Sequence, residues 1–214
     1  MSNNAPTRNE AVRVFASELN EAKVTYQREE DLDQQNTPNY HLLPTGKGAN
    51  RIVIMGALTT VTKVKDDPKT LRSRVVGPTG ESFLYASTYN PDALSTLEDL
   101  KPDDGSNELN AENVQTVMVI GKPTIIEGNN EQYVAINPEK VIISDGETQD
   151  RWICKTIEDT LDRLDAYENE NAPRQEYAEA KYNFNHYELR QKVGEMTNSF
   201  ETNSSSNAQP TTGD

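Results

Sequence analysis

Residues 51–88 contain the pattern that most restricts the fold of this chain, a long strand with an internal glycine followed by two shorter strands. The three strands are predicted at 51–64, 71–76 and 81–88. A tight turn at 77–80 joins the last two into an antiparallel hairpin. Gly56 interrupts the first strand, and a glycine at such a place lets a strand bend and pair with both halves of a sheet. The pattern therefore predicts a meander within a small closed barrel.

Two further strands and a helix follow the meander. Pro91 opens a short helix with an apolar side. Beyond an acidic segment at 101–112, strands are predicted at 114–119 and 132–136, with a hairpin turn at 127–130 and a returning segment at 140–143. Five strands, a bent first strand and a helix after the third describe the oligonucleotide/oligosaccharide-binding (OB) barrel. We predict a mainly β fold with a five-stranded OB-fold barrel at 38–145.

An N-terminal helix and linker are predicted at 1–37. Apolar residues recur at the helical period from residue 8 to about 24, which predicts an amphipathic helix there. Its apolar side would consist of Val12, Phe15, Ala16, Leu19 and Ala22. A polar linker at 27–37 follows, and the proline-bracketed segment 38–46 is expected to be extended and ordered against the barrel.

A C-terminal helical extension is predicted after the barrel. A helix at 146–170 is expected to begin near Thr148, a suitable capping residue. A second helical pattern with an aromatic side lies beyond Pro173. The Ser/Asn/Thr-rich stretch from Thr197 is expected to be disordered, so 171–214 is interpreted as a helical and disordered tail.

The first C-terminal helix carries a narrow apolar stripe, formed by Ile153, Ile157, Leu161 and Leu164. Something must cover this stripe. It could dock on the chain's own barrel, or it could bind a helix of a partner protein, as in trimers built from a helix after each barrel. The sequence leaves both alternatives open, and the four residues are candidate partner-binding residues.

The third strand carries two aromatic residues on one face. Alternate side chains of a strand point to opposite faces, so Phe83 and Tyr85 lie opposite Ser82, Leu84 and Ala86. If the second set fills the barrel, the two rings lie outside, where each can stack on an unpaired base. The alternative is that the rings are core residues. Arg72 and Arg74 share one face of the preceding strand. Because arginines are rarely buried, they favour the outward orientation of the two rings.

The net charge of −14 at first sight disfavours a nucleic-acid-binding protein, because contacts with phosphate need Lys and Arg. More than half of the acid excess, however, lies in residues 145–214, and the strand region outside 98–112 is close to neutral. Acid excess over a whole chain also suits a host with a salty cytoplasm, where repulsion is screened over short distances. A halophilic source is therefore a hypothesis.

Several classes of function are disfavoured by what the sequence lacks. The chain has one cysteine and two histidines, which gives no credible zinc site. The Gly46-Lys47-Gly48 turn lacks the further glycine and Ser/Thr of a phosphate-binding loop, and no cluster suited to hydrolysis is visible. No apolar run is long enough for a membrane helix or a signal peptide. We expect a cytoplasmic protein that is not an enzyme and has no cofactor, no metal and no membrane association.

Short segments of the chain share the pattern of a known family. They are PNYHLLPTG at 38–46, ANR at 49–51, RVVGPTG at 74–80, YA at 85–86, VIGKP at 119–123 and DRW at 150–152. In these segments the chain resembles the archaeal replication protein A-associated proteins, especially those of haloarchaea. The resemblance covers roughly residues 8–168. The acidic insert at 101–112 and the extension after Tyr167 depart from the family pattern.

The resemblance implies a barrel-containing subunit that works with replication protein A, the single-stranded DNA-binding protein of replication, recombination and repair. It also implies that Phe83 and Tyr85 are outward positions that contact the bound strand. Arg72, Arg74 and Lys122 would lie beside this groove and hold phosphates as cations.

Two classes of function follow. The first is an accessory subunit of archaeal replication protein A that binds single-stranded DNA, in a hetero-oligomer with its partner. The second is a protein-interaction subunit that assembles or stabilises replication protein A and has little affinity for DNA of its own. The acid excess and the apolar stripe of the C-terminal helix favour the second class.

Overall fold

The computed structural model describes residues 9–33, 37–102, 105–128 and 131–206. Its strands are β1 (Val12–Arg13), β2 (Val24–Tyr26), β3 (Tyr40–Leu42), β4 (Gly48–Ala49), β5 (Ile52–Asp66), β6 (Lys69–Gly77), β7 (Gly80–Ser87), β8 (Gln115–Glu127) and β9 (Gln132–Ile143). Its helices are α1 (Ala16–Leu19), α2 (Pro91–Asp99), α3 (Gly146–Glu168), α4 (Gln175–Lys181) and α5 (His186–Ser206). Within these residues, no helix combines the length and the apolar character needed to cross a lipid bilayer.

Five strands form a closed barrel in the order β5-β6-β7-β9-β8, with β8 returning to pair with β5. The pairs are antiparallel except β7 with β9, which is parallel. This order and the bent first barrel strand are those of the OB fold, so the predicted fold is confirmed. The fourth and fifth barrel strands are longer than predicted, since β8 and β9 run without a break through Gly121 and Pro138. Part of the predicted 127–130 turn, residues 129 and 130, lies outside the described residues.

Gly56 allows the barrel to close. Residues 52–58 of β5 pair with β8, and residues 57–66 pair with β6, so one strand serves both neighbours. At the point of exchange the backbones come very close, because a Cβ atom at Gly56 would lie 2.3 Å from the Val76 carbonyl oxygen. Only a residue without a side chain fits there, which is the physical reason for the glycine seen in the sequence.

Aliphatic side chains from every barrel strand fill the interior. The fully buried members include Leu58, Leu71, Leu84, Val119 and Ile136. The predicted helix after the third strand is present as α2, and its apolar side packs on the same core. Burial of each such side chain contributes about 1.5–3 kcal/mol to folding, which makes this core the main source of stability.

The N-terminal helix is much shorter than predicted, and the expected extent of 8–24 is wrong. Val12 and Arg13 instead form β1, which pairs in parallel with Ile52 and Val53 of β5. The helix α1 has four residues. The apolar residues Val14, Leu19 and Ala22 of this segment do reach the core, but the hydrogen bonds offered by β5 favour an extended backbone at residues 12 and 13 over the local helical period.

A small three-stranded sheet, β2-β3-β4, is built from the segments on either side of the polar linker. The prediction that 38–46 is ordered is confirmed, since His41 and Leu43 are buried. The His41 ring bonds the Ala22 carbonyl oxygen at 2.8 Å, and burial lowers the pKa of this histidine. Residues 34–36 of the predicted linker lie outside the described residues.

Helix α3 begins one turn earlier than expected. Asp145, not Thr148, is the N-cap, and its carboxylate accepts a hydrogen bond from the Thr148 backbone N–H at 2.7 Å. This bond lowers the pKa of the Asp145 carboxyl group. The short acidic side chain satisfies a backbone donor that the first helical turn leaves free.

The tail forms two helices where a single pattern was expected, because the chain is extended at Tyr182 between α4 and α5. The Tyr182 hydroxyl donates to the Leu42 carbonyl oxygen at 2.6 Å and accepts from the Val24 N–H at 3.1 Å, which fixes the tail to the small sheet. The disorder predicted from Thr197 is wrong as far as Ser206, where α5 ends. Residues 207–214 lie outside the described residues.

A buried ion pair joins the N-terminal segment to α3. Arg163 donates from Nη2 to Glu18 Oε2 at 2.6 Å, and Glu18 is fully buried. Glu18 also accepts from the Thr45 hydroxyl at 2.5 Å, and Arg163 also donates to the Thr160 hydroxyl. The pair is therefore hydrogen-bonded on both sides, which a buried charge requires.

Replacing Gly56 with alanine should destabilise the barrel, because the new Cβ atom would lie 2.3 Å from the carbonyl oxygen of Val76, a residue held in the β5–β6 ladder. We expect the free energy of unfolding to fall by about 1–3 kcal/mol, the usual cost of overpacking. The control is Gly146→Ala, whose Cβ atom would meet no atom of the described structure within 4 Å. Urea denaturation followed by circular dichroism compares them, and equal midpoints would contradict the close approach at Gly56.

Arg163→Ala should destabilise the protein far more than Arg13→Ala. The first change leaves the Glu18 carboxylate buried without its partner, which costs about 3–5 kcal/mol. The second removes only a pair with Asp159, in which the two side chains are 44% and 37% exposed. Exposed pairs of this kind contribute at most about 1 kcal/mol. Thermal unfolding of both variants tests this, and similar losses would show that the buried pair has no special role.

Candidate nucleic-acid interface

The outer face of β7 carries the two aromatic residues that the sequence analysis selected. Ser82, Leu84 and Ala86 are buried, whereas Phe83 and Tyr85 are partly exposed on the opposite face. The outward orientation is therefore confirmed, because the small and aliphatic set fills the barrel. The rings lie on the surface formed by β6, β7 and β9, where an OB fold offers its ligand-binding face.

Arg72 lies directly beside these rings. On β6 it is the cross-strand neighbour of Tyr85, and its guanidinium carbon is 4.3 Å from the centre of the Phe83 ring. It forms no ion pair with any described residue, and its buried Nε has no hydrogen-bond partner among them. Stacking on the ring holds the cation in place without neutralising it. The group can therefore receive an anionic ligand.

Arg74 has a different environment, although it lies on the same face of β6. Its Nε donates to the Thr59 hydroxyl at 2.9 Å, and its Nη1 lies 3.5 Å from a Glu81 carboxylate oxygen. Opposite it on β7 is Phe83. The charge of Arg74 is thus partly compensated within the protein, and Arg72 is the better candidate for a phosphate contact.

Tyr133 of β9 completes the cluster, and sequence reasoning missed it. Its ring meets Phe83 edge to face at 6.2 Å between centres, and its hydroxyl oxygen is 2.6 Å from that of Tyr85. Its alternation with the apolar Val134 is the signal that could have placed it on the outer face of its strand. Nothing in the spacing of residues, however, indicated that β9 would pair in parallel with β7 and bring the rings together.

The contact between the two hydroxyl groups affects the titration of Tyr85. Burial, together with the hydrogen bond to Tyr133, raises the pKa of Tyr85 to about 12, and the nearby Arg72 opposes this in part. Tyr85 therefore stays neutral at all physiological pH values. A neutral phenol ring can stack on a base without adding negative charge next to a phosphate.

Lys122 lies at the border of this surface. It is exposed on β8, opposite Asn137, and it forms no ion pair with any described residue. Thr124, two residues further along the same face of β8, pairs with Ala135, which in turn pairs with Phe83. The ammonium group of Lys122 is therefore set one strand beyond the aromatic cluster and is not part of it.

The four residues proposed for partner binding are not available on the surface. Ile153, Ile157 and Leu164 are buried, and Leu161 is partly buried. They pack in a second core with Met55 on the outside of β5 and with Leu189 of α5. The interpretation of this stripe as a contact with a partner helix is corrected accordingly, since α3 docks on its own barrel and α5 covers it.

A polar cleft of about 660 Å³ lies between β1, α3 and the small sheet. Its lining mixes cationic side chains, among them Arg28 and Lys47, with the carboxylates of Glu10 and Asp162. The residues described by the structure contain no group of three His, Cys, Asp or Glu side chains placed to hold a metal ion. The expected absence of a metal or cofactor stays a prediction.

No protein-family model matches this chain, and no curated protein is significantly similar to it. A functional assignment therefore depends on the residues themselves and on the resemblance of the short segments named above.

Replacing Tyr133 with phenylalanine should lower the pKa of Tyr85, because the change removes a hydrogen-bonded hydroxyl and leaves the burial in place. In the wild type the pKa of Tyr85 is raised from 10.0 to about 12. Between about pH 10 and pH 12 the phenol therefore loses its proton in the unfolded chain but keeps it in the folded chain, so the free energy of unfolding falls as the pH rises through this range. Carbon NMR of tyrosine labelled at Cζ follows each phenol separately and measures the shift. Tyr182, whose pKa is also raised to about 12, is an internal control that should not change. An unaltered titration curve of Tyr85 would contradict the contact.

Proposed function

We propose that this protein is an accessory subunit of archaeal replication protein A that binds single-stranded DNA during replication, recombination and repair. The observation that carries the proposal is the cluster of Phe83, Tyr85 and Tyr133 on the outer face of a closed five-stranded barrel. Against it lies the guanidinium of Arg72, which forms no ion pair with a described residue. The partnership with replication protein A is supported by the resemblance of the short segments alone.

The chemistry of the cluster suits an unpaired strand. Bases of a single strand can leave their stack and lie on the faces of protein rings, at about 1–3 kcal/mol per base. Phosphates that lie between the stacked bases need a nearby cation, which Arg72 offers at the cluster and Lys122 offers at its border. Stacking accepts any base, so the site is expected to bind without strong sequence preference. No catalytic step is assigned to any residue.

The rival class, an interaction subunit with little DNA affinity, loses its structural basis. It was founded on the acid excess and on the stripe from Ile153 to Leu164, and the chain itself covers the stripe. The acid excess stays compatible with either class, since −14 is the charge of the whole chain and Arg72, beside the aromatic cluster, forms no ion pair with a described residue. We therefore retain a single candidate function.

Changing Phe83 and Tyr85 together to alanine should weaken the binding of a labelled single-stranded oligonucleotide. Loss of two stacking rings is expected to cost about 2–6 kcal/mol, at least about 30-fold in Kd. The fold should persist, because the buried Leu84 and Ala86 on the same strand are unchanged. Fluorescence anisotropy at several salt concentrations measures the affinity, and circular dichroism checks the fold.

The matched control changes Tyr177 and Tyr187 to alanine, which removes two exposed rings from α4 and α5. This variant should bind like the wild type. Arg72→Gln should also reduce the dependence of log Kd on log salt by about 0.7, the value for one phosphate contact on a single strand. Absence of binding by the folded wild type would contradict the proposed function, and equal binding by the two double variants would place the site elsewhere.

A further inference from the structure

Residues 107–109, which belong to the acidic segment between α2 and β8, are hydrogen-bonded to the barrel at β5. The Val61 N–H donates to the Asn107 carbonyl oxygen, and the Leu109 N–H donates to that of Thr59, each at 2.9 Å. Between these bonds, Glu108 forms a β-bridge with Thr60. Leu109 is buried in the barrel core. Residues 107–109 therefore pair with β5 as a short additional segment at the edge of the sheet.

Glu108 lies on the outer surface of the barrel, in register with the aromatic cluster. Neighbouring residues of an extended segment alternate, so the burial of Leu109 turns Glu108 outward, and its side chain is exposed. Thr60, its bridge partner, pairs with Arg74, and Arg74 pairs with Phe83. These four residues form a row across three strand spacings. Each spacing is about 4.8 Å, so the backbone of Glu108 lies about 10 Å from that of Arg74, measured along the sheet.

The charges along this outer face are unequal at its two sides. Arg74 has a carboxylate on both flanks, Glu81 at 3.5 Å and Glu108 two strands away. Arg72 has no ion pair with a described residue, and neither does Lys122 beyond β9. A phosphate is consequently repelled at the β5 side and attracted over Arg72 and towards β8.

We infer that Glu108 sets the border of the nucleic-acid site: its carboxylate keeps the phosphate backbone of a single strand off the β5 side of the barrel and directs it across Arg72, Phe83 and Tyr85. The inference rests on the proposed function. It assigns Glu108 a role in limiting affinity and in placing the strand, without contact to the bases. The insert that departs from the family pattern then has a function of its own.

The test compares Glu108→Gln with Glu176→Gln. The control removes the same charge from α4, where the neighbouring Arg174 stacks on Tyr26 of the small sheet. Binding of a fluorescent single-stranded oligothymidylate is measured by anisotropy from low salt to about 1 M salt, where screening acts over about 3 Å. Glu108→Gln should bind about two- to fivefold more tightly than the control at low salt, as expected when a like charge is removed about 10 Å from Arg74, at the border of the proposed site. The two should converge at high salt.

A second set of variants locates the bound nucleic-acid strand. In the wild-type background, Arg72→Gln should weaken binding, whereas Arg74→Gln should weaken it little. In the Glu108→Gln background, Arg74→Gln should acquire a larger effect, because phosphate can then approach the β5 side. Equal affinities of Glu108→Gln and Glu176→Gln would overturn the inference and leave the proposed function standing. Failure of the wild type and all variants to bind at low salt would overturn both.

Discussion

The close approach of two backbones at Gly56 is the constraint on which the rest of the structure depends. It lets β5 exchange β8 for β6 within a few residues, and so converts a meander into a closed barrel. Closure removes the free edges of the sheet and fixes which side of each strand is interior. The position of Phe83 on the outside follows from that closure. So does the parallel contact of β7 with β9, which brings Tyr133 to the same surface.

The segments that flank the barrel have a different role from Gly56. They cover the outside of the barrel where β5 and β8 would otherwise expose apolar side chains. Met55 on β5 meets Trp152 of α3, and α5 closes the other side of that helix. The Glu18–Arg163 pair adds a polar connection whose partners come from opposite ends of the chain. The helical extension is thus a part of one fold, and the surface it covers is distinct from the face that carries Tyr85.

Much of the barrel could be predicted because its signals are local. Alternation along 81–88 gave the faces of Phe83 and Leu84, and a glycine within a long strand indicated the bend. Two of the failures share one cause, since they concern pairings between distant segments. The period of Val12 and Leu19 is helical, yet a ladder with β5 made residues 12 and 13 a strand. In the same way, Tyr133 joined the site through a parallel pairing that leaves no trace in the spacing of residues.

An acidic chain can hold a polyanion if the attraction is local and the repulsion is distant. Repulsion from the net charge of −14 acts over many ångströms and is screened within about 10 Å at 0.1 M salt and about 3 Å at 1 M. A contact between Arg72 and a phosphate would also weaken with salt, but by the small amount due to one or two released ions. Stacking on three rings does not depend on charge. A site of the proposed kind, with several rings and one arginine that has no ion pair with a described residue, would therefore lose less affinity in a salty solvent than a site built from many cations. This links the composition of the cluster to that of the whole chain.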